Sequence, residues 1–163
     1  MSHVTKLFSL VADEMKYVED KMRSGIASHY EDLQAVIDYL VGAGGKRLRP
    51  ALTLMAANFY PVDKDKSYSL AASVELLHTA TLVHDDVIDN SLFRRGMPTL
   101  NASWSPGATI LTGDYLFARS AELAAETGSV FRLILTEVNR FGTVLAYGAA
   151  VARLANGRMA IDD

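Results

Sequence analysis

Cysteine is absent from this 163-residue chain. Its absence excludes disulfides, thiolate metal sites and cysteine nucleophiles. A basic surplus is missing too: 16 Lys and Arg stand against 19 Asp and Glu, for a net charge of −3. A dedicated nucleic-acid binder normally carries a strong excess of positive charge, so no nucleic-acid partner is expected. No window approaches the roughly 18 consecutive apolar residues of a membrane span. Met1 to Leu10 do not read as a signal peptide either, because Asp13, Glu14 and Lys16 follow the short apolar stretch from Leu7 to Ala12 at once. With both features lacking, the cytoplasm is the expected compartment. Internal repeats and low-complexity tracts are also missing.

What is present is ordinary for a globular protein with one real core: 50% apolar and 21% charged residues. The four prolines and eleven glycines fall largely between apolar-periodic segments. β-branched runs with strict alternation are lacking, so the pattern predicts helices joined by short turns. One helix is expected from Thr5 to Arg23, ended by Ser24 and Gly25. A second runs from Ser28 to Val41, with Leu33, Val36, Ile37 and Leu40 as its apolar stripe. A third runs from Arg49 and Pro50 to Tyr60, and a fourth from Ser67 to Asn90. A polar turn follows, Arg94-Arg95-Gly96-Met97-Pro98. Ser105 as N-cap and Pro106 at the first helical position open a fifth helix that reaches Thr127. A last helical pattern groups Phe131, Ile134, Leu135, Val138, Phe141 and Leu145, weakened by Gly142 and Gly148 at about 1 kcal/mol each.

The fourth helix concentrates the chemistry. At about 100° per residue, Thr81, Asp85, His78 and Asp89 fall within a stripe roughly 80° wide, and Asp86 lies about 60° further round. Two carboxylates one turn apart repel each other, and the C-terminal end of a helix disfavours negative charge. A cation would offset both penalties. Magnesium takes oxygen ligands and typically uses one or two carboxylates with substrate phosphates and water, whereas calcium wants six to eight oxygens in a looped cage. A solvated acidic helix end is the bland alternative. Against it stand the apolar neighbours Leu76, Leu77, Leu82, Val83, Val87 and Ile88, the histidine and threonine on the stripe, and the arginines just beyond.

Two basic clusters flank this helix. Gly44-Gly45-Lys46-Arg47-Leu48-Arg49-Pro50 packs three cations into four positions beside a turn. Glycine lets backbone approach an anion, helix-start N–H groups point at it, and arginine offers a planar fork to phosphate. The cluster alone reads equally well as a solvated loop. It is not a P-loop, whose spacing and preceding strand are both missing. Arg94 and Arg95 lie five and six residues past Asp89, close enough for a turn to return them over the same cavity. Metal ions with arginines are a usual means of holding a diphosphate. His78 by itself would more often be a hydrogen-bonded core histidine; beside these groups it becomes a candidate phosphate donor.

Taken together, these motifs resemble those of the trans-isoprenyl diphosphate synthases: Gly44 to Pro50, His78 to Asp89, Arg94-Arg95-Gly96 and Gly113-Asp114-Tyr115-Leu116, in order and spacing from about Leu33 to Ser129. The resemblance implies an all-α antiparallel helical bundle of the isoprenoid synthase type, here incomplete, as one partial domain over residues 1–163. It implies a magnesium-dependent prenyltransferase that condenses isopentenyl diphosphate with an allylic diphosphate, working as a homodimer or heteromer. It implies that Asp85 and Asp89 bind Mg2+ on the allylic diphosphate with Asp86 assisting, and that Arg94 contacts that diphosphate. Lys46, Arg47, His78 and Arg95 would hold the diphosphate of isopentenyl diphosphate. The small Ala80 and Thr81 before the first aspartate imply a medium- or long-chain product. A class I terpene cyclase shares the aspartate chemistry but has no second diphosphate for the basic clusters to hold.

The family's second aspartate-rich motif lies well over a hundred residues after the first, and this chain stops at Asp163, 74 residues past Asp89. Beyond about Val130 the sequence is not expected to match the family. Three expectations follow: a truncated or frameshifted gene, one subunit of a heteromeric synthase, or a noncatalytic regulatory relative. The apolar faces of a half-bundle also predict oligomerisation or poor solubility.

Overall fold

The structure is a computed structural model that describes residues 8–25, 31–43, 45–59 and 61–128. All described residues fall in one compact unit, Met1–Gly128. The final helical pattern from Phe131 to Leu145 lies outside the described residues.

The described part is all-α apart from one two-residue strand pair. Its helices are α1 (Ala12–Arg23), α2 (Glu31–Gly42), α3 (Leu48–Ala57), α4 (Lys64–Ile88), the short α5 (Leu100–Ser103) and α6 (Pro106–Glu126). The local signals explain most boundaries. Asp63 caps α4, its carboxylate accepting from the Asp65 amide at 2.9 Å. Ser105 caps α6, accepting from the Ala108 amide at 3.3 Å, with Pro106 in the first turn. Gly25 and Gly128 take the positive φ that ends a helix cheaply. The first helix departs from expectation: Phe8 and Ser9 are helical, Leu10 and Val11 form a turn, and α1 begins at Ala12.

α4 is the central element, packing against α1, α3, α5 and α6. From Ala71 to Leu76 it is buried on every side. Small residues permit that. Ser69, Ala71, Ala72, Ser73 and Ala80 leave room for neighbouring backbones, and interhelical distance depends on side-chain size at the contact. Facing them, Ser73 and Ser120 each donate to the other's backbone carbonyl, at 2.7 and 2.9 Å. The imidazole of His84 lies over Gly113, its Nε2 at 3.2 Å from the Ile110 carbonyl and 3.3 Å from the Asp114 carboxylate. Around this seam Val18 and Met22 of α1, Ile37 and Val41 of α2, Leu54 of α3, Leu76 and Val83 of α4, and Leu116 and Leu123 of α6 form one core.

The segment after α4 differs from the plain polar turn expected. Phe93–Arg94 (β1) pairs with Met97–Pro98 (β2) in an antiparallel hairpin, Phe93 opposite Pro98. Arg95 and Gly96 at its tip both have positive φ, 53° and 80°, the backbone that two-residue primed turns require. Glycine meets that demand without strain; arginine does so at some cost.

A methyl group at position 113 would collide with the His84 ring. Gly113→Ala is therefore expected to destabilise the fold by about 1–3 kcal/mol. Denaturant unfolding measures this, and an unchanged midpoint would show that the two helices are not packed through this contact.

Candidate functional site

One cavity of about 730 Å3 opens between α2, the turn before α3, α4 and the hairpin. Its size is typical of small-molecule sites. α4 contributes Glu75, His78, Thr79, Leu82, Val83 and Asp86. That spacing of three, one, three, one and three residues places them on one helix face. The turn and α3 bring Lys46, Arg47 and Arg49; the hairpin brings Arg94 and Arg95. The lining thus holds five cations and two carboxylates, and His78 is neutral, so three positive charges are in excess.

The basic groups are held in different ways. Arg94 forks onto Asp86: its Nε donates at 3.0 and 3.3 Å to the two carboxylate oxygens, and its Nη2 stands 2.9 Å from Oδ1. The Asp86 side chain is only 9% exposed, so this pair holds the hairpin against α4. A second tie comes from α2, where the Tyr39 hydroxyl donates to the Pro98 carbonyl at 2.7 Å. Thr99 adds a third through the Ser91 carbonyl, at 2.7 Å. Arg95 reaches back across the cavity mouth, and its guanidinium lies directly over Gly45. A side chain at position 45 would displace the tip of this exposed guanidinium. Lys46 and Arg95 are exposed and have no ion-pair partner among the described residues.

His78 faces this crowd. Burial, then Arg49, Arg95 and Arg94 in turn, push its imidazole down to about 4. At neutral pH it is uncharged, so it can donate through one ring nitrogen and accept through the other.

Several expected site residues stand differently. Asp85 and Asp89 do not line the cavity. Asp85 is half-buried and Asp89 exposed; neither carboxylate has a hydrogen-bond or ion-pair partner among the described residues. Asp89 caps α4 with helical φ and ψ, so the one-turn spacing between the two carboxylates is retained. Among the described residues no cluster of three or more acidic, His or Cys side chains could hold a metal by itself. Two free carboxylates one turn apart do fit magnesium that completes its shell with water and substrate phosphate. His78 lines the cavity with Asp86, while Asp85 and Asp89 stand at its edge on the helix, and the Thr81 hydroxyl donates to the His78 carbonyl at 2.8 Å.

Arg47, expected to hold a substrate diphosphate, lines the cavity, and its guanidinium is engaged by Glu75 at 3.0 Å, by Glu19 at 3.6 Å and by the Val41 carbonyl. The physical reason is Glu75, a carboxylate only 9% exposed that needs a cation beside it. Arg49, two residues on, lines the cavity and acts electrostatically on His78. Sequence reasoning read Arg49 only as a member of the basic cluster and gave no role to Glu75 or Tyr39. The spacing of Glu75 with His78, Leu82 and Asp86 carried the signal for Glu75; nothing local marked Tyr39.

The depressed His78 has a measurable consequence. Its folded value lies below the ordinary 6.5, so the unfolded chain takes up the proton first. Its contribution to stability is complete above about pH 6.5 and is lost as pH falls towards 4. His78→Gln is expected to flatten the fall in melting temperature across that window relative to wild type. Parallel curves for the two proteins would contradict this placement of the imidazole.

A sequence profile described as Polyprenyl synthetase matches residues 30–151, so the likeness to the family runs past Val130, where it was expected to end. The chain is 44% identical over 123 residues to heptaprenyl diphosphate synthase component 2 of Geobacillus stearothermophilus, covering 76% of this chain and 38% of that protein. It is 41% identical over 124 residues to an all-trans-nonaprenyl-diphosphate synthase of Rhodobacter capsulatus, with the same coverage of 76% and 38%. Among solved structures, a polyprenyl synthase from Caulobacter crescentus, complexed with calcium and isoprenyl diphosphate, superposes with a TM-score of 0.77 at 40% identity, covering 91% of this chain and 45% of that one. The chain therefore spans less than half the length of these relatives. Their likeness, the all-α fold and the motif residues around one cavity agree: this chain belongs to the polyprenyl synthetase family.

Proposed function

We propose that this chain forms the substrate-holding part of a polyprenyl diphosphate synthase, which joins isopentenyl diphosphate to an allylic diphosphate. The observation that carries the reading is the cavity's surplus of three positive charges around a neutral histidine. That surplus suits a diphosphate group, and forked arginines and a point-charge lysine are the donors that recognise one. Lys46, Arg49, Arg95 and His78 hold the diphosphate of isopentenyl diphosphate. Arg94, shared with Asp86, serves the allylic diphosphate.

Asp85 and Asp89 would hold Mg2+, with Asp86 nearby. When bound, that ion would offset the charge of the departing diphosphate. The allylic C–O bond breaks and the diphosphate leaves with the electron pair. The alkene of isopentenyl diphosphate attacks the resulting cation, forming a C–C bond, and a proton is then lost. Arg94 stabilises the leaving anion, while apolar Leu82, Val83 and Leu100 of the same cavity keep water from the cation. No protein nucleophile is required, in keeping with the cysteine-free sequence.

The small Ala80 and Thr81 suit a medium- or long-chain product, a reading supported by the likeness to heptaprenyl and nonaprenyl diphosphate synthases. The reaction belongs in the cytoplasm; no helix among the described residues is long and apolar enough to cross a membrane. Large side chains left open, including Phe59, Ile88, Phe93 and Leu111, favour a homo-oligomer or heteromer. A heteromeric role is the second reading, favoured by the likeness to a protein named as component 2 of its synthase.

Titrating inorganic diphosphate into the chain tests the reading. Mg2+ is expected to tighten binding in wild type, and Asp85→Ala to abolish about 10- to 100-fold of that gain while leaving magnesium-independent binding intact. Labelled isopentenyl diphosphate with an allylic diphosphate then reports turnover, which should vanish in the same variant. No diphosphate binding by folded wild type would sink the proposal.

A further inference from the structure

Arg47 stands among phosphate-binding candidates, yet its geometry gives it another task. Its backbone is left-handed, φ 48° and ψ 34°, at the residue that opens α3. Non-glycine residues rarely take that conformation unless their surroundings hold them in it. Here the guanidinium supplies the hold. It meets Glu75 of α4 at 3.0 Å, Glu19 of α1 at 3.6 Å and the carbonyl that ends α2's last turn at Val41. The Arg47 and Glu75 side chains are 12% and 9% exposed, so neither charge is well served by water. The chain of charges continues outward: Glu19 to Arg23 at 3.4 Å and Arg23 to Asp38 of α2 at 3.3 Å. One arginine thus joins α1, α2 and α4 to the turn before α3.

The neighbours of Arg47 show what this achieves. Lys46, the residue before it, is exposed at the cavity mouth, and Arg49, two after it, lines the cavity beside His78. Gly45 lies beneath the Arg95 guanidinium. We infer that Arg47 is a positioning residue: its buried pair with Glu75 fixes the turn so that Lys46 and Arg49 present their charges to a bound diphosphate. This inference rests on the proposed function for its ligand, and Arg47 itself touches none.

A direct ligand and a positioning residue make opposite predictions for Glu75. If Arg47 bound phosphate, removing the Glu75 carboxylate would free its charge and remove a negative group from the cavity, so anion binding would strengthen. If the pair positions the turn, the same change weakens binding. Inorganic diphosphate titrated calorimetrically into the full chain decides between them. Arg47→Gln and Glu75→Gln are each expected to weaken binding by about tenfold, and the double variant by no more than either single, because both break one device. Arg47→Lys, which keeps the charge without the fork, gives the same loss and serves if Arg47→Gln does not fold. Tighter binding by Glu75→Gln, or losses that add in the double variant, would overturn the inference.

Amide hydrogen exchange provides a readout that needs no ligand. The amides that open α3, from Ala51, which donates to the Arg47 carbonyl at 3.1 Å, to Thr53, are expected to lose protection in each variant while those of α6 keep theirs; unchanged exchange there would also overturn the inference. If wild type binds no diphosphate but the turn is released in both variants, the proposed ligand fails and the positioning role stands.

Discussion

Five like charges gathered around one cavity repel each other, and two buried carboxylates of α4 make the arrangement tolerable. Glu75 takes Arg47 and Asp86 takes Arg94, eleven residues apart on the same helix face. The first pair fixes the turn that leads into α3; the second fixes the hairpin that follows α4. Each buried carboxylate would be costly without its arginine, and each arginine would be free to wander without its carboxylate. Lys46, Arg49 and Arg95 line the same space. Burial, reinforced by the same field, keeps His78 neutral. A site of this kind is organised before any anion arrives, which is what electrostatic catalysis needs.

α4 can carry both pairs because its other faces pack so closely. Small residues from Ser69 to Ala80 bring α6 near, the Ser73–Ser120 bonds pin the two helices together, and the His84 ring fills the space over Gly113. Position along this helix therefore determines what each acidic residue can do. Asp86 is buried and paired, whereas the carboxylates of Asp85 and Asp89, near the helix end, have no partner among the described residues. Adjacent aspartates so differently placed suit different tasks, one structural and two able to share a metal with a substrate.

Much of this was legible in the sequence, and the omissions have physical causes. Capping chemistry at Ser105-Pro106 and glycines at 25 and 128 marked helix ends because those signals are local. The Leu10–Val11 break was invisible, since nothing in those residues interrupts helical periodicity. The hairpin was missed because Arg95 at positive φ is an unusual turn residue, tolerated where Arg94–Asp86 and Tyr39–Pro98 tie down both strands. The basic cluster was recognised as a group, but which of its members faced inward depended on Glu75, 28 residues away from Arg47. Spacing alone also grouped His78 with Asp85 and Asp89; the cavity selects the adjoining strip through Asp86 instead.

The central claim is that this cavity is a diphosphate site with a metal half-site at its edge. A crystal structure of the chain with inorganic diphosphate and Mg2+ tests it most directly. The account predicts the diphosphate between Lys46, Arg49, Arg95 and His78, and a metal ion on the Asp85 and Asp89 carboxylates, with Arg47 still on Glu75. A diphosphate bound outside the cavity, or one held by Arg47 with Glu75 released, would contradict it.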